Sequence, residues 1–211
     1  MDISGIFVNT QNSIRIDCGK IIYVDPLDIR QESHDADYIF ITHDHYDHFS
    51  LEDINKVLKQ ETQFVVPLKM DIRVRKNTPV GRNLAVAAGQ SYETEDFTFE
   101  TVPAYNLIKP FHKKSAGWVG YILNIDDTRI YIAGDTDATK EAQNVKCDIA
   151  MVPLGGTYTM NHKEAAALIN KIKPKYVIPT HYGSIVGKPS DADEFASRVD
   201  SGIKVVRKLV F

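Results

Sequence analysis

Cysteine is scarce: only Cys18 and Cys147 occur in 211 residues, and they lie far apart. No CxxC or zinc-knuckle spacing is present, so nothing points to a disulfide framework or a cysteine-built metal knuckle. Both are read as small core residues. No run approaches the ~18 apolar residues of a membrane-spanning helix, so no span is expected. The first twenty residues, MDISGIFVNTQNSIRIDCGK, lack a charged start followed by an apolar stretch. No signal peptide is therefore expected, and a reducing, cytoplasmic setting is the default. A dominant charge is missing too: 25 Lys and Arg stand against 28 Asp and Glu. That balance gives no general attraction to nucleic acid or anionic membrane, and neither is expected as a partner. No Gly-, Ser- or Pro-rich linker interrupts the chain, so residues 1–211 are read as one domain.

What is present is an alternation of strands and helices. Ser13–Asp17 alternates apolar and polar residues, as a half-buried strand does, and Ile21–Val24 follows after a turn at Gly19. Asp37–Thr42 is a short apolar strand that runs straight into a cluster of histidines. Ser50, with Asp53 three residues on, reads as a capping box opening a helix from Leu51 to Lys59. Gln63–Val66 is another strand. The second half repeats the rhythm, with strands at Phe97–Val102, Trp118–Ile125, Arg129–Ile132, Cys147–Val152 and Tyr176–Ile178. Helices are expected over Ala138–Asn144, from Asn161 through Ile172 with Glu164 closing the cap, and over Asp191–Val199; a strand is expected over residues 203–211. The pattern predicts an α/β protein with two sheets packed face to face and helices outside.

The strongest chemical signal is His43-Asp-His-Tyr-Asp-His48, three imidazoles and two carboxylates in six residues. In an extended segment, residues two apart point to one side, so His43 and His45 can grip one metal together. Asp47 and His48, adjacent at a turn before the helix, can face a second. Neutral imidazole and carboxylate suit Zn²⁺, Fe²⁺ or Mn²⁺. Further ligands are expected at strand ends. Ile130–Ala133 leads through Gly134 to Asp135, and Tyr176–Ile178 leads through Pro179-Thr180 to His181. Asp44 and Tyr46 are read as solvated or supporting residues, His34 as a surface residue and Trp118 as core.

The run H-x-H-x-D-H, the later Gly-Asp and the final Thr-His-Tyr-Gly resemble the metallo-β-lactamase superfamily in order and strand-end placement, over nearly the whole chain. The resemblance implies an αββα sandwich of two mixed sheets with a metal site at one edge. It implies two Zn²⁺ per chain, with Mn²⁺ or Fe²⁺ as substitutes. His43 and His45 would hold the first metal, and Asp47, His48 and His181 the second. Asp135 would bridge, and Asp25 would support the site from behind. Asp47, Asp135 and His181 would be the catalytic residues. The family supplies a third histidine to the first metal on a loop before the Gly-Asp step. At the position matched by Pro103-Ala104 stands Asn106, and His112, six residues on, is taken as the ligand. The alternatives are Asn106 as a weak ligand or a neighbour of one, or a first metal with fewer protein ligands.

Two divalent ions ~3.5–4 Å apart can share a water and lower its pKa towards neutrality, giving a hydroxide that attacks a carbonyl or phosphoryl centre. The chain resembles the short hydrolases of the superfamily, among them ascorbate-6-phosphate lactonase-like enzymes and phospholipase D-like enzymes acting on N-acyl-phosphatidylethanolamine. A small-molecule ester, lactone or phosphodiester is the expected substrate. Lys109, Lys113 and Lys114 would draw an anionic one, or else form a solvated charge run. The alternatives kept open are an iron-dependent redox protein on the same fold and a metal-stabilised binding domain without catalysis. Assembly into a homo-oligomer is left open.

Overall fold

The computed structural model describes residues 3–78 and 82–209. Its first sheet begins as an antiparallel meander of β1 (Ile6–Val8), β2 (Ile14–Asp17) and β3 (Ile21–Val24). It continues in parallel through β4 (Tyr38–Phe40), β5 (Gln63–Pro67) and β6 (Arg82–Val86), in spatial order β1 to β6. Parallel neighbours need crossovers. Here α1 (Leu51–Val57) links β4 to β5, and α2 (Asp71–Asn77) links β5 to β6.

The second sheet repeats the scheme. An antiparallel meander of β7 (Ser91–Glu93), β8 (Thr98–Pro103), β9 (Val119–Ile125) and β10 (Thr128–Ile132) passes into parallel β11 (Ile149–Pro153), β12 (Tyr176–Thr180) and β13 (Lys204–Val205). Here α3 (His162–Ile172) crosses from β11 to β12, and α4 (Asp191–Ala196) from β12 to β13. Asn161 caps α3 through its side chain, and Glu164 returns a bond to the Asn161 backbone N–H. This satisfies donors that a helix start otherwise leaves unpaired.

Alternation along β4 and β5 explains the layering. Tyr38, Phe40 and Val65 point into the core shared with the second sheet, whereas Ile39, Ile41, Phe64 and Val66 pack under α1 and α2. Between the sheets, the Phe40 ring meets Phe99 and Tyr121 edge-on, with centroids 5.2 and 5.0 Å away. Fully burying such a ring contributes roughly 1.5–3 kcal/mol. Tyr121 is wholly buried, and its hydroxyl donates to the Ile41 carbonyl at 2.6 Å, tying β9 to the end of β4. Val119 N–H donates to Thr42 O at 3.2 Å beside it. The two sheets are thus joined along the edge where β3, β4, β10 and β12 all end. Among the described residues, no helix is long and apolar enough to cross a membrane.

Five expectations differ from the structure. The helix expected to Lys59 stops at Val57, with Leu58 as its extended cap. Its capping box is half-built: Ser50 Oγ accepts from Asp53 N–H, but the Asp53 carboxylate turns to Ser50 Oγ and Ile29 N–H instead of the cap backbone. Over Ala138–Asn144 only a single turn at Ala142–Asn144 is helical, because Thr139 Oγ1 takes the Ala142 N–H and the Thr139 N–H is held by the Asp137 carbonyl. The strand expected over residues 203–211 is paired only at Lys204–Val205, and residues 210–211 lie outside those described. Cys18 and Cys147 are free and half-buried, packed at the margin of the core rather than inside it.

Candidate metal centre

Every residue of the centre sits just past the carboxyl end of a strand or on a loop held to one, the usual place for a site in an α/β sheet. After β4 the chain stays extended through His43 and then turns, His48 and Phe49 N–H both donating to His45 O. That turn sends Asp47 and His48 back towards the sheet. Asp135 follows β10 through Gly134, whose φ of +63° and position, with a Cβ that would lie 3.1 Å from Thr42, favour glycine. His181 follows β12 with φ of +55°, a conformation that costs a non-glycine residue about 1–3 kcal/mol.

These loops bring together two groups of side chains. In the first, His43 Nε2 lies 3.1 Å from His45 Nδ1, and His112 completes a triad whose donor atoms all lie within 4.8 Å of one another. In the second, His48 Nε2 lies 3.1 Å from His181 Nε2, and Asp47 Oδ2 lies 3.4 Å from His181 Nε2 and 3.6 Å from His48 Nε2. Asp135 stands between them. Its Oδ2 is 3.3 Å from His112 Nε2 and 4.0 Å from His43 Nε2, while its Oδ1 is 3.3 Å from His181 Nε2 and 3.4 Å from His48 Nε2. Bond lengths of 2.0–2.1 Å in a tetrahedron put ligand atoms roughly 3.3 Å apart, close to these spacings. His112 Nε2 and Asp135 Oδ1 are also buried without a hydrogen-bond partner. Buried polar atoms are rarely left so, and a cation in the first group would satisfy His112 Nε2 while one in the second would satisfy Asp135 Oδ1. The donor set fits a divalent ion in each group.

The far side of each ring is held. Asp25, fully buried, accepts from Thr42 N–H at 2.8 Å, Thr42 Oγ1 at 2.6 Å, Asn12 Nδ2 at 2.8 Å and His48 Nδ1 at 2.7 Å. His48 is thereby fixed with Nε2 towards Asp135, and His43 Nδ1 rests on Thr42 Oγ1 at 3.0 Å. Asn106 is turned away from the site: its Nδ2 donates to Tyr158 O at 2.8 Å and lies 3.3 Å from His112 Nδ1. Its backbone N–H donates to His112 O at 2.7 Å, so Asn106 braces the loop that presents His112.

Burial and charge pull the histidines in opposite directions. Burial, helped by the neighbouring His48, pushes His43 well below its ordinary value, and burial with His112 lowers His45. For His48, burial is outweighed by Asp135 and Asp25, and its pKa is raised to about 9. Asp135, which burial alone would raise, is held well below the carboxylate range by His181 and His48. Without metal, His48 keeps its proton up to about pH 9 when folded but only to 6.5 when unfolded. Its contribution is complete below pH 6.5 and is lost as pH rises through 9. His43 and His45 act the other way, since below 6.5 the unfolded chain binds protons that the folded one resists. The metal-free protein is expected to melt highest near pH 6.5, with Tm falling on both sides. Calorimetry in chelator checks this; a Tm climbing steadily up to pH 9 contradicts the proton on His48.

Some neighbours carry no motif and were not legible beforehand. Trp118, expected in the core, is half-buried as a wall of the first group, its ring 4.9–5.4 Å from the imidazoles of His43, His45 and His112. Lys109 and Lys114 do not face the centre. Lys109 is paired with Asp137 and donates to Thr159 O, and Lys114 is paired with Glu141 at 2.6 Å. His34 is exposed, as expected, and His162 opens α3 with its ring near Asp191. In front of the donor atoms of the two groups lies a cavity of about 660 Å³, walled on its outer side by Tyr46, Phe111, Tyr158 and Ile185.

Sequence and structure comparisons agree with this architecture. Residues 10–181 match a family described as the beta-lactamase superfamily domain. A protein named metal-dependent hydrolase from Thermococcus onnurineus is 29% identical over 184 residues, spanning 84% of this chain and 80% of its own. The crystal structure of a protein described as a metal-dependent hydrolase from Parabacteroides distasonis has a TM-score of 0.80 at 30% identity, covering 97% of this chain and 93% of its own. A metallo-beta-lactamase fold protein from Bacillus subtilis has a TM-score of 0.72 at 14% identity, covering 94% and 88%. With two mixed sheets meeting at an edge lined by His and Asp, and a family match over most of its length, the chain belongs to the beta-lactamase superfamily, in its metallo-β-lactamase fold.

Proposed function

We propose that the protein is a metal-dependent hydrolase holding two divalent ions. His43, His45 and His112 hold one, Asp47, His48 and His181 hold the other, and Asp135 reaches both. The observation that carries this reading is the aim of Asp135, whose two oxygens point into two different imidazole groups at 3.3–4.0 Å. A structural site normally closes around one ion with four protein ligands, whereas these two groups share one carboxylate and open onto a cavity. When bound, the ions supply polarisation of a substrate oxygen and a water of lowered pKa.

The chain's own residues do the positioning. Asp25 and Thr42 lock His48 and His43 in one orientation, and the neighbouring Trp118 ring walls the first group. Asp47 lines the cavity with Oδ2 beside His181, where it can orient an entering nucleophile and take its proton. Asp135 compensates the charge of the pair. The substrate is a small molecule with an ester, lactone or phosphodiester bond. Imidazole and carboxylate donors suit Zn²⁺, Mn²⁺ or Fe²⁺.

Elemental analysis of protein purified without added metal tests the reading. Near two zinc or manganese ions per chain are expected, with hydrolysis lost in chelator and restored by reloading. Iron as the main metal, with oxygen-dependent turnover, would replace hydrolysis by a redox function. No metal even after reconstitution would end the proposal.

A further inference from the structure

Among the described residues, the cavity in front of the centre is built in two zones of unlike chemistry. Its floor holds the ionisable groups already assigned, His45, Asp47, His112, Asp135 and His181. Its outer wall is uncharged and mostly apolar, with the hydroxyls of Tyr46, Thr157 and Tyr158 as its polar groups, and no lysine or arginine lines it. Phe111 and Tyr158 meet edge-to-face with centroids 4.6 Å apart, a pairing that fixes both rings as one surface. Tyr46 and Ile185 stand nearby, and all four are far more exposed than core residues of their size: Tyr46 is 71% exposed, Phe111 47%, Ile185 45% and Tyr158 36%. Rings and branched side chains left open to water around a catalytic floor usually await an apolar ligand.

Two of the three lysines on the loop that presents His112 are engaged elsewhere, as is Arg73, and the third, Lys113, is exposed and does not line the cavity. Lys109 is held by Asp137 and the Thr159 carbonyl, and Lys114 by Glu141. Arg73 is paired with Asp44 at 3.1 Å and lies over the Phe49 ring. A charged group on the body of a substrate, away from the floor, would lose water without gaining a partner. At about 660 Å³ the space is large enough for a substrate of drug-like size.

We propose that the substrate is an uncharged carboxylic ester or lactone with an aromatic or branched aliphatic body, which packs on Phe111, Tyr158 and Ile185 while its carbonyl reaches the floor. This rests on the hydrolase reading above and narrows it, setting phosphodiesters and carboxylate-bearing esters aside. Hydrolysis breaks the acyl C–O bond, water supplies the new oxygen, and the leaving alcohol takes a proton. No other reactant is needed.

The test separates the wall from the reaction. The metal-loaded protein is given p-nitrophenyl hexanoate, its analogue ending in a carboxylate, p-nitrophenyl acetate and bis-p-nitrophenyl phosphate. In parallel, calorimetry compares 4-phenylbutanohydroxamic acid with acetohydroxamic acid, both anchored on the metals through the same head. The hexanoate is expected to exceed p-nitrophenyl acetate in kcat/KM by at least about tenfold, the order that a few buried methylenes supply, and to exceed its carboxylate analogue and the phosphodiester, whose charge finds no partner on the wall. The phenyl hydroxamate should bind about tenfold more tightly than the short one. Phe111→Ala should remove most of both preferences, each read as the ratio of long to short probe, a ratio that a uniform loss of metal or activity would not change. Ile185→Lys, at an exposed position, should raise turnover of the carboxylate analogue. Tail preference in binding without hydrolysis of any ester keeps the wall assignment and discards the hydrolase reading. Hydrolysis with equal or reversed preference overturns the apolar-substrate proposal alone. Failure of both hydroxamates to bind discards both.

Discussion

Replacing Asp135 by Ala is expected to remove most bound metal and to lower kcat/KM by at least about 10³-fold. Loss of an outer partner of a metal ligand already costs about 10–100-fold, and this carboxylate reaches both groups directly. It is also the counter-charge of the centre, with four imidazole nitrogens within 4.0 Å of its two oxygens. Without it, two cations would be packed among neutral rings with only Asp47 and the more distant Asp25 to balance them. Asp135→Asn refines the result. The amide keeps one accepting oxygen, so one ion per chain should survive and the second should be lost. Elemental analysis and initial rates on both variants check this. Retention of two ions and full hydrolysis by Asp135→Ala would falsify the bridging assignment.

The fold was legible where period and partner agreed. The apolar strand Tyr38–Phe40 and the cap at Asn161 carry strong local signals, and both elements stand where the pattern puts them. α2 carries no such signal. Of its residues Val74 alone is buried, and Ile72 faces solvent, so no apolar stripe marks the sequence Asp71–Asn77. Likewise β7 alternates exposed and half-buried residues at a sheet edge, which leaves little hydrophobic pattern to read. The expected helix over Ala138–Asn144 yields to a tertiary demand: Asp137 accepts from Leu107 N–H and pairs with Lys109, fixing the chain just before it. Local propensity cannot register a bond to a loop thirty residues away.

The centre divides along the same line. His43 to His48 announce themselves because six consecutive residues supply the donors. Asp135 and His181 are visible only as acids or imidazoles at strand ends, and the folded sheet brings them to the cluster. The choice between Asn106 and His112 was open because it depends on the path of one loop. In the structure that path is set by Asn106 itself, whose backbone and side chain bond to His112 O and Tyr158 O. Trp118 and Phe111 gave no advance notice, since an aromatic residue beside a site and one in a core look alike in sequence. The lysines were open between two readings for a related reason. Three cations in a loop suggest an anion site until two of them are found closed by Asp137 and Glu141.

Asp25→Asn tests the support behind the centre, and its expected effect is nearly as large. Asp25 is a carboxylate with no exposed surface that takes four donors, one on Oδ1 and three on Oδ2. Its φ of +46° is a conformation that asparagine tolerates, so the backbone survives the exchange. An amide offers one accepting oxygen and one NH₂. If the oxygen faces His48, the NH₂ confronts the Thr42 backbone N–H and leaves it unpaired, at a cost of about 1–3 kcal/mol. For a chain of this length that corresponds to a fall in Tm of roughly 2–12 °C. The second effect falls on metal binding. With a carboxylate on Nδ1, His48 presents a fixed and electron-rich Nε2; with a neutral amide it does not. Affinity of the group formed by Asp47, His48 and His181 is expected to drop about 10–100-fold, while the His43, His45 and His112 group keeps its ion. Competitive titration with a chromogenic chelator measures the two affinities separately. Asp44→Asn is the control, because Asp44 lies at the surface in an ion pair with Arg73 worth at most about 1 kcal/mol. Equal losses at both groups in Asp25→Asn would mean that Asp25 supports the fold in general and not His48 in particular.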